Sequence, residues 1–285
     1  MEVILGKSSG FCFGVKNAVD GAERELENNK SGNIYCLGEI IHNEEVIKDL
    51  EKKGLIFVDD ISDAKDKVII RSHGVPISVY ETANSKNIEL LDFTCPFVLK
   101  IHETAMKYSQ NNYFIFLLGV KTHPETIGSI SFCGDNSYLI ETLDDIEPAL
   151  NSFKASGLKD LLIISQTTFS VSLFEDITNK IKSSVASDIN LEIKNTICNT
   201  TLIRQKETAE LAKSVNLMIV IGGKHSSNTK KLYEVAKKHC ENTLLIQTER
   251  DLDYKYLQGF VKIGIIAGAS TPKNIIEDVV LFCKN

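Results

Sequence analysis

Short apolar runs alternate with helical periodicity along the whole of this chain, and that alternation most restricts what it can fold into. The clearest runs are Val68–Arg71, Tyr113–Leu118, Leu161–Ser165, Leu217–Ile221 and Lys262–Ala267. Helical spacing of apolar residues recurs between them, in Val15–Leu26, Pro96–Gln110, Val171–Val185, Arg204–Lys213, Leu232–His239 and Pro272–Phe282. Such alternation predicts an α/β fold with several mostly parallel sheets covered by helices. No low-complexity linker divides the chain, and no residue-level repeat is visible. Its 285 residues are enough for more than one core. Boundaries are expected near Cys95 and Asn195: an N-terminal strand with the first cysteine loop (1–13), then α/β units at 14–95, 96–195 and 196–285.

Cysteines mark three of the strand–helix junctions. Leu91-Asp92-Phe93-Thr94-Cys95-Pro96 runs from the strand Glu89–Asp92 into a helix whose first position is proline. Proline suits that position because its missing N–H would be unpaired there anyway. Cys95 is thus expected at a helix cap, where exposed N–H groups and the helix dipole favour a thiolate. Gly10-Phe11-Cys12-Phe13-Gly14 and Ile197-Cys198-Asn199-Thr200-Thr201 occupy similar junctions. The remaining cysteines, Cys36, Cys133, Cys240 and Cys283, lie among apolar neighbours or at a helix end and read as structural. Three thiolates suit a soft metal. Zinc would want a fourth ligand or a water, whereas an iron–sulfur cluster on three cysteines leaves one iron open. Spacing does not decide between them.

Ligands in parallel sheets bind beyond the C-terminal ends of the strands, and these ends are rich in small polar groups. They read Ser72-His73-Gly74, Lys121-Thr122-His123-Pro124-Glu125, Ser165-Gln166-Thr167-Thr168, Gly222-Gly223-Lys224-His225-Ser226-Ser227-Asn228 and Gly268-Ala269-Ser270-Thr271, with a shorter example at His42-Asn43. Serine, threonine or asparagine before a helix is ordinarily a plain N-cap. The Gly-Gly pair before Ser226-Ser227-Asn228 adds close backbone approach, so a phosphate at the helix start is the sharper reading. It is not a Walker loop. Three of the six histidines, His42, His73 and His123, stand at junctions, which fits either zinc or a diphosphate held by imidazole donors. His102 and His239 fall within helical patterns and read as ordinary surface or boundary residues, and His225 as either kind. Glu125 beside His123-Pro124 is a candidate general acid; its plainer role is a first-turn helix acid.

The composition excludes some function classes. Net charge is −6 with both signs interspersed, against a nucleic-acid surface. No apolar run approaches the roughly 18 residues of a membrane span, and the N-terminus enters a strand without a signal-peptide pattern. Seven cysteines without a CxxC pair suggest neither a disulfide framework nor a zinc ribbon. A cytoplasmic protein without an appended domain is the expectation.

Order and spacing of these motifs resemble the 4-hydroxy-3-methylbut-2-enyl diphosphate reductase family, which acts last in the non-mevalonate isoprenoid pathway. The matching residues include Gly10-Phe11-Cys12-Phe13-Gly14-Val15, His42-Asn43, Arg71-Ser72-His73-Gly74-Val75 and Asp92-Phe93-Thr94-Cys95-Pro96. They continue through His123-Pro124-Glu125, Ser165-Gln166-Thr167-Thr168, Thr196-Ile197-Cys198, Arg204-Gln205, Gly222-Gly223, Ser226-Ser227-Asn228 and Gly268-Ala269-Ser270-Thr271-Pro272. The resemblance implies a trefoil of three pseudo-equivalent α/β domains around a [4Fe-4S] cluster, with Cys12, Cys95 and Cys198 as ligands and one iron open. It implies that His42, His73, His123, Ser226, Ser227, Asn228 and Ser270 line a diphosphate pocket. Thr167 and Glu125 would then face the substrate hydroxyl, with Glu125 in a proton relay. An external electron donor such as ferredoxin or flavodoxin is implied as well. Thr122 stands where that family has glycine, and Thr200 where alanine is common; both bear on loop geometry.

Two other classes share part of this pattern. A quinolinate-synthase-like lyase could have three lobes and three cysteines, but would not need the histidines and Ser-Ser-Asn of a diphosphate pocket. An iron–sulfur sensor would want a DNA- or partner-binding element, and the chain has neither a basic stripe nor a spare domain.

Overall fold

The computed structural model describes residues 1–284 as a regular alternation of strands and helices. In chain order the first elements are β1 (Glu2–Leu5), α1 (Phe13–Asn28), β2 (Ile34–Leu37), α2 (Glu44–Lys52), β3 (Leu55–Val58), β4 (Lys67–Ile70), α3 (Ile77–Lys86) and β5 (Glu89–Asp92). Next come α4 (Pro96–Gln110), β6 (Phe114–Leu118), α5 (Pro124–Ile130), β7 (Ser137–Ile140), α6 (Ile146–Ser156), β8 (Asp160–Ser165), α7 (Val171–Ser184) and β9 (Asn190–Ile193). The last are α8 (Asn199–Ala212), β10 (Leu217–Ile221), α9 (Ser227–Lys237), β11 (Thr243–Ile246), α10 (Tyr254–Leu257), β12 (Lys262–Ala267) and α11 (Lys273–Lys284). By internal contacts the chain forms two compact units. One holds Met1–Val19, Ile41–Lys52 and Asn199–Asn285; the other holds Asp20–Ile40 and Lys53–Cys198.

Twelve strands make three four-stranded sheets, ordered β3-β2-β4-β5, β7-β6-β8-β9 and β1-β12-β10-β11. Every strand pair is parallel. The α/β class expected from the alternation is what forms. Reading the third sheet from its other edge gives β11-β10-β12-β1, the order of the first two with β1 in the fourth place. The N-terminal strand, which the sequence reading leaves outside the three units, pairs with β12 through Glu2↔Lys262 to Leu5↔Ile265.

The central strands follow from their sequence. In β10, Leu217, Ile219 and Ile221 pack into one apolar cluster, while Met218 and Val220 pack into another. Successive side chains point to opposite faces, so a strand covered on both sides must be apolar throughout. The sequence reading does not single out Leu55–Val58, Ser137–Ile140, Asn190–Ile193 or Thr243–Ile246 as runs; all four are short edge strands with partly exposed residues, and Leu55–Val58 is nonetheless apolar throughout. Among the described residues no helix is long and apolar enough to cross a membrane.

Candidate active site

The three junction cysteines occupy equivalent places. Each follows the fourth strand of its sheet: Cys95 after β5, Cys198 after β9 and Cys12 after β1. Each also donates its backbone N–H to the carbonyl of the second residue past the third strand. Cys95 donates to Ser72 at 3.0 Å, Cys198 to Thr167 at 2.9 Å and Cys12 to Ala269 at 3.2 Å. A helix opens at the next residue in every case. The Val15 N–H points at Cys12 Sγ, 3.5 Å away. All three are half-buried, whereas Cys36, Cys133, Cys240 and Cys283 are buried. Burial pushes the thiols of Cys36 and Cys133 up to about 12 and that of Cys283 to about 11. Cys36, Cys133 and Cys283 are thereby held as thiols. The half-buried three, each one residue before a helix, fit a soft metal group.

In the unit containing Lys53–Cys198, α5 and the loop after β8 bring a carboxyl and a threonine together. Proline at its first position and His123 at its cap start α5, with His123 Nδ1 accepting the Glu125 N–H at 3.1 Å. An accepting Nδ1 places the proton of the neutral ring on Nε2. The His73 ring lies edge-on to that of His123, with centroids 5.3 Å apart. Glu125, 2 % exposed, accepts the Thr167 N–H and the Thr167 hydroxyl, both at 2.6 Å. Burial pushes its carboxyl up to about 7 against the pull of those two bonds. Because the Thr167 carbonyl receives the Cys198 N–H, a single residue links Glu125 to a junction cysteine. Thr122 is exposed and Thr200 lies in the first turn of α8. Neither has positive φ, so both departures from glycine and alanine sit without strain.

The unit containing Asn199–Asn285 holds His42, Ser226, Ser227, Asn228 and Ser270. The Ser270 hydroxyl donates to the His42 carbonyl at 3.1 Å. A Cβ on Gly223 would come within 2.4 Å of that same carbonyl oxygen, so only glycine permits the approach. Ser226 caps α9, its Oγ accepting the Thr229 N–H at 3.3 Å. Asn228 is 5 % exposed, and its Nδ2 has no hydrogen-bond partner among the described residues. A buried donor without an acceptor, at a helix start, is suited to an anion.

One expectation is corrected. His102 is neither surface nor boundary: it is 3 % exposed and stacks on Phe132 with centroids 4.2 Å apart. Burial pushes it down to about 4, although Asp92 pulls the other way. The helical period does mark it, since Val98, Ile101, His102 and Ala105 form the buried face of α4. Gly74, at φ +73°, leaves room for that ring, as a Cβ there would lie 2.8 Å from it. His239 and His225 are exposed.

Sequence reasoning also left several residues without a role. Gln166 Oε1 accepts the Val120 N–H at 3.1 Å and the Thr126 hydroxyl at 3.3 Å, tying the loop after β6 to the loop after β8. Thr196 donates its hydroxyl to the Ser165 carbonyl at 2.6 Å and accepts the Ser165 N–H at 2.7 Å, which holds the segment leading to Cys198. Arg204 and Glu207 grip the Cys12 loop. Gln166, Thr196 and Arg204 stand in the quoted motifs, but a contact across many residues leaves no spacing to read.

Three parallel four-stranded sheets, with half-buried cysteines, a desolvated carboxyl and a buried amide donor beyond their strands, define an α/β protein with polar chemistry at its strand ends. The chain belongs to the LytB protein family, whose profile matches residues 3–284. It is 42% identical over 282 residues to the 4-hydroxy-3-methylbut-2-enyl diphosphate reductase of Alkaliphilus oremlandii, covering 98% of both chains. It is 41% identical to the enzyme of the same name from Clostridioides difficile, covering 100% of each. Among solved structures, that of (E)-4-hydroxy-3-methyl-but-2-enyl diphosphate reductase, the terminal enzyme of the non-mevalonate pathway, matches with TM-score 0.71 and 38% identity, covering 100% of this chain and 99% of that one. The E-1-hydroxy-2-methyl-but-2-enyl-4-diphosphate reductase of Plasmodium falciparum matches with TM-score 0.91 and 31% identity, covering 100% and 88%.

Proposed function

We propose that this enzyme reduces (E)-4-hydroxy-3-methylbut-2-enyl diphosphate to isopentenyl and dimethylallyl diphosphate, with a [4Fe-4S] cluster on Cys12, Cys95 and Cys198. The carrying observation is the buried Glu125–Thr167 pair, one backbone hydrogen bond from Cys198. The allylic C–O bond breaks and a C–H bond forms, consuming two electrons and two protons and releasing water. When bound, the cluster supplies the electrons and a Lewis-acidic open iron. The chain's own residues do the rest. With its carboxyl pushed up to about 7, Glu125 is protonated in about half of the molecules at neutral pH and can hand that proton on and be refilled, as a general acid should. The Thr167 N–H and hydroxyl fix the orientation of that carboxyl. His42, His73, His123, Ser226, Ser227, Asn228 and Ser270 supply donors for the diphosphate, orienting the allylic end and excluding water. The electrons come from a small carrier of the ferredoxin or flavodoxin kind, and the chain divides into α/β units at 14–95, 96–195 and 196–285, with the strand and first cysteine loop at 1–13 adding β1 to the sheet of the last.

Anaerobic purification with iron, sulfide and visible-spectrum analysis, followed by dithionite–viologen turnover on the allylic diphosphate, tests this reading. Iron-loaded protein that turns over the substrate is expected. Stoichiometric zinc without iron would overturn it.

A further inference from the structure

The loop that carries Cys12 differs from its counterparts. Only Phe93 and Thr94 separate β5 from Cys95, whereas Gly6-Lys7-Ser8-Ser9-Gly10-Phe11 separates β1 from Cys12. A longer stretch rich in glycine and serine costs more entropy to hold in one conformation. Part of it is fastened to β12. The Gly6 N–H donates to the Ile265 carbonyl at 2.8 Å, and Ser9 Oγ accepts the Ala267 N–H at 3.1 Å.

The rest is fastened by α8. Arg204 Nε donates to the Ser8 carbonyl at 2.6 Å, and its Nη2 donates to the Gly10 carbonyl. One turn further on, Glu207 accepts the Lys7 N–H at 2.6 Å, the Ser8 N–H at 2.9 Å and the Ser8 hydroxyl. Burial raises the Glu207 carboxyl, but the Ser8 and Lys7 hydrogen bonds outweigh it and hold the group below its ordinary range. It is therefore a carboxylate, the form that accepts all three donors.

The buried face of α8 is unusual. It carries Thr201, Arg204, Gln205 and Thr208, with Leu211 and Ala212 only at its end. Burying a guanidinium, here 2 % exposed, is costly unless its donors are used. A helix needed only for packing would bury apolar residues there. Here Arg204 on that face and the half-buried Glu207 beside it together grip five backbone and side-chain groups of one loop. That helix opens at the residue after Cys198.

We propose that Arg204 and Glu207 are positioning residues for Cys12. They fasten the loop that presents one thiol to the helix that begins at another, and so set how firmly the metal group is retained without touching it. This rests on the reading of the three cysteines as cluster ligands.

The test uses Glu207→Gln, Arg204→Lys and Ser8→Ala in the full chain. The first readout needs no metal: alkylation of the cluster-free protein under anaerobic conditions, followed by peptide mass spectrometry at each cysteine. In Glu207→Gln, Cys12 should react about fivefold faster, the equivalent of one lost hydrogen bond, while Cys95 and Cys198 keep their rates. Ser8→Ala should show a smaller effect of the same selectivity. Arg204→Lys should be intermediate, since an ammonium reaches one carbonyl where the planar fork reaches two. The second readout is iron loss to a chelator from reconstituted protein, which should rise in the same order. Unchanged Cys12 reactivity in all three folded variants, or equal acceleration at all three cysteines, would overturn the proposal. A parent protein that takes up no iron would instead sink the ligand reading, leaving the Cys12 alkylation result to judge the clamp.

Discussion

The strand ends of the two compact units are built from different chemistry. In the unit with Asn199–Asn285, small hydroxyls and a buried amide gather at helix starts, around Ser226, Asn228 and Ser270. In the unit with Lys53–Cys198, a desolvated carboxyl, Glu125, is held by Thr167 beside two imidazoles. The first collection suits a permanent negative charge, since the Asn228 amide is a buried donor without a partner among the described residues and the Ser226 hydroxyl, which accepts the Thr229 N–H, still has a proton to give. The second suits a proton that comes and goes, because burial and two hydrogen bonds set a carboxyl near neutrality. The difference lies in what each helix start was given: Ser226 caps with a hydroxyl, while His123 caps with an imidazole and puts an acid in the first turn.

Cysteine substitutions should have the largest effect and hit both units alike. Serine at Cys12, Cys95 or Cys198 should remove the cluster and turnover, while alanine at Cys36, Cys133, Cys240 or Cys283 should leave both. Iron content per chain checks this, and a fully loaded Cys12→Ser protein would confine the metal to one unit. Glu125→Gln comes next. It should lower turnover by at least the ~10² of an acid–base catalyst while leaving substrate affinity, and Asp should be intermediate because its reach is short. Near-normal turnover per iron in the glutamine variant would remove Glu125 as the donor. Asn228→Ala should show the opposite signature, with KM raised about tenfold and kcat little changed, as expected when a charge-assisted hydrogen bond common to ground and transition states is lost. If inorganic diphosphate fails to compete with substrate for the parent enzyme, the anion side of the comparison is wrong.

The smallest effects concern pH, and their signs separate two groups of one unit. Glu125 titrates at about 7 when folded, against an ordinary 4.5. The native state therefore keeps a proton that the unfolded chain has lost. Stability is full below 4.5 and falls by on the order of 3 kcal/mol as pH rises to 7. Glu125→Gln should flatten that slope in urea titrations. Turnover in the parent should decline above about 7, as the protonated donor is depleted. His102 has the reverse sign. Its folded value is about 4 against 6.5, so the unfolded chain takes up the proton first and stability falls as pH drops from 6.5 to 4. His102→Phe should be less acid-sensitive over that window. In the parent the two slopes oppose each other, so the single variants are the test: stability that stays flat from pH 4 to 7 in both Glu125→Gln and His102→Phe would mean that neither group is desolvated as described.

The central strands and their helices were legible because burial on both faces demands continuous apolar residues, as in Leu217–Ile221, and because glycine, proline and cap residues punctuate the ends. Cys95 and the His123-Pro124-Glu125 start were legible for the same local reason: the chemistry of a helix N-terminus is written in adjacent residues. The family motifs carried the resemblance, including Arg204, without saying what that arginine does. The edge strands Leu55–Val58 and Thr243–Ile246 were not legible although they are largely apolar, since a run of only three or four apolar residues does not distinguish a strand from a turn of buried helix.

The sequence by itself thus determined the α/β class, the parallel strands and which residues stand at strand ends, because each depends on periodicity or on neighbours a few positions apart. The tertiary structure decided the rest. It made β1 the fourth strand of a sheet whose other members begin at Leu217, and it gave all three cysteines the same backbone partner position. It raised Glu125 by burying it against Thr167, and it set Arg204 and Glu207 on a loop near the opposite end of the chain. Each of these is a contact between distant segments, and its energy comes from desolvation and shared hydrogen bonds that no local pattern records.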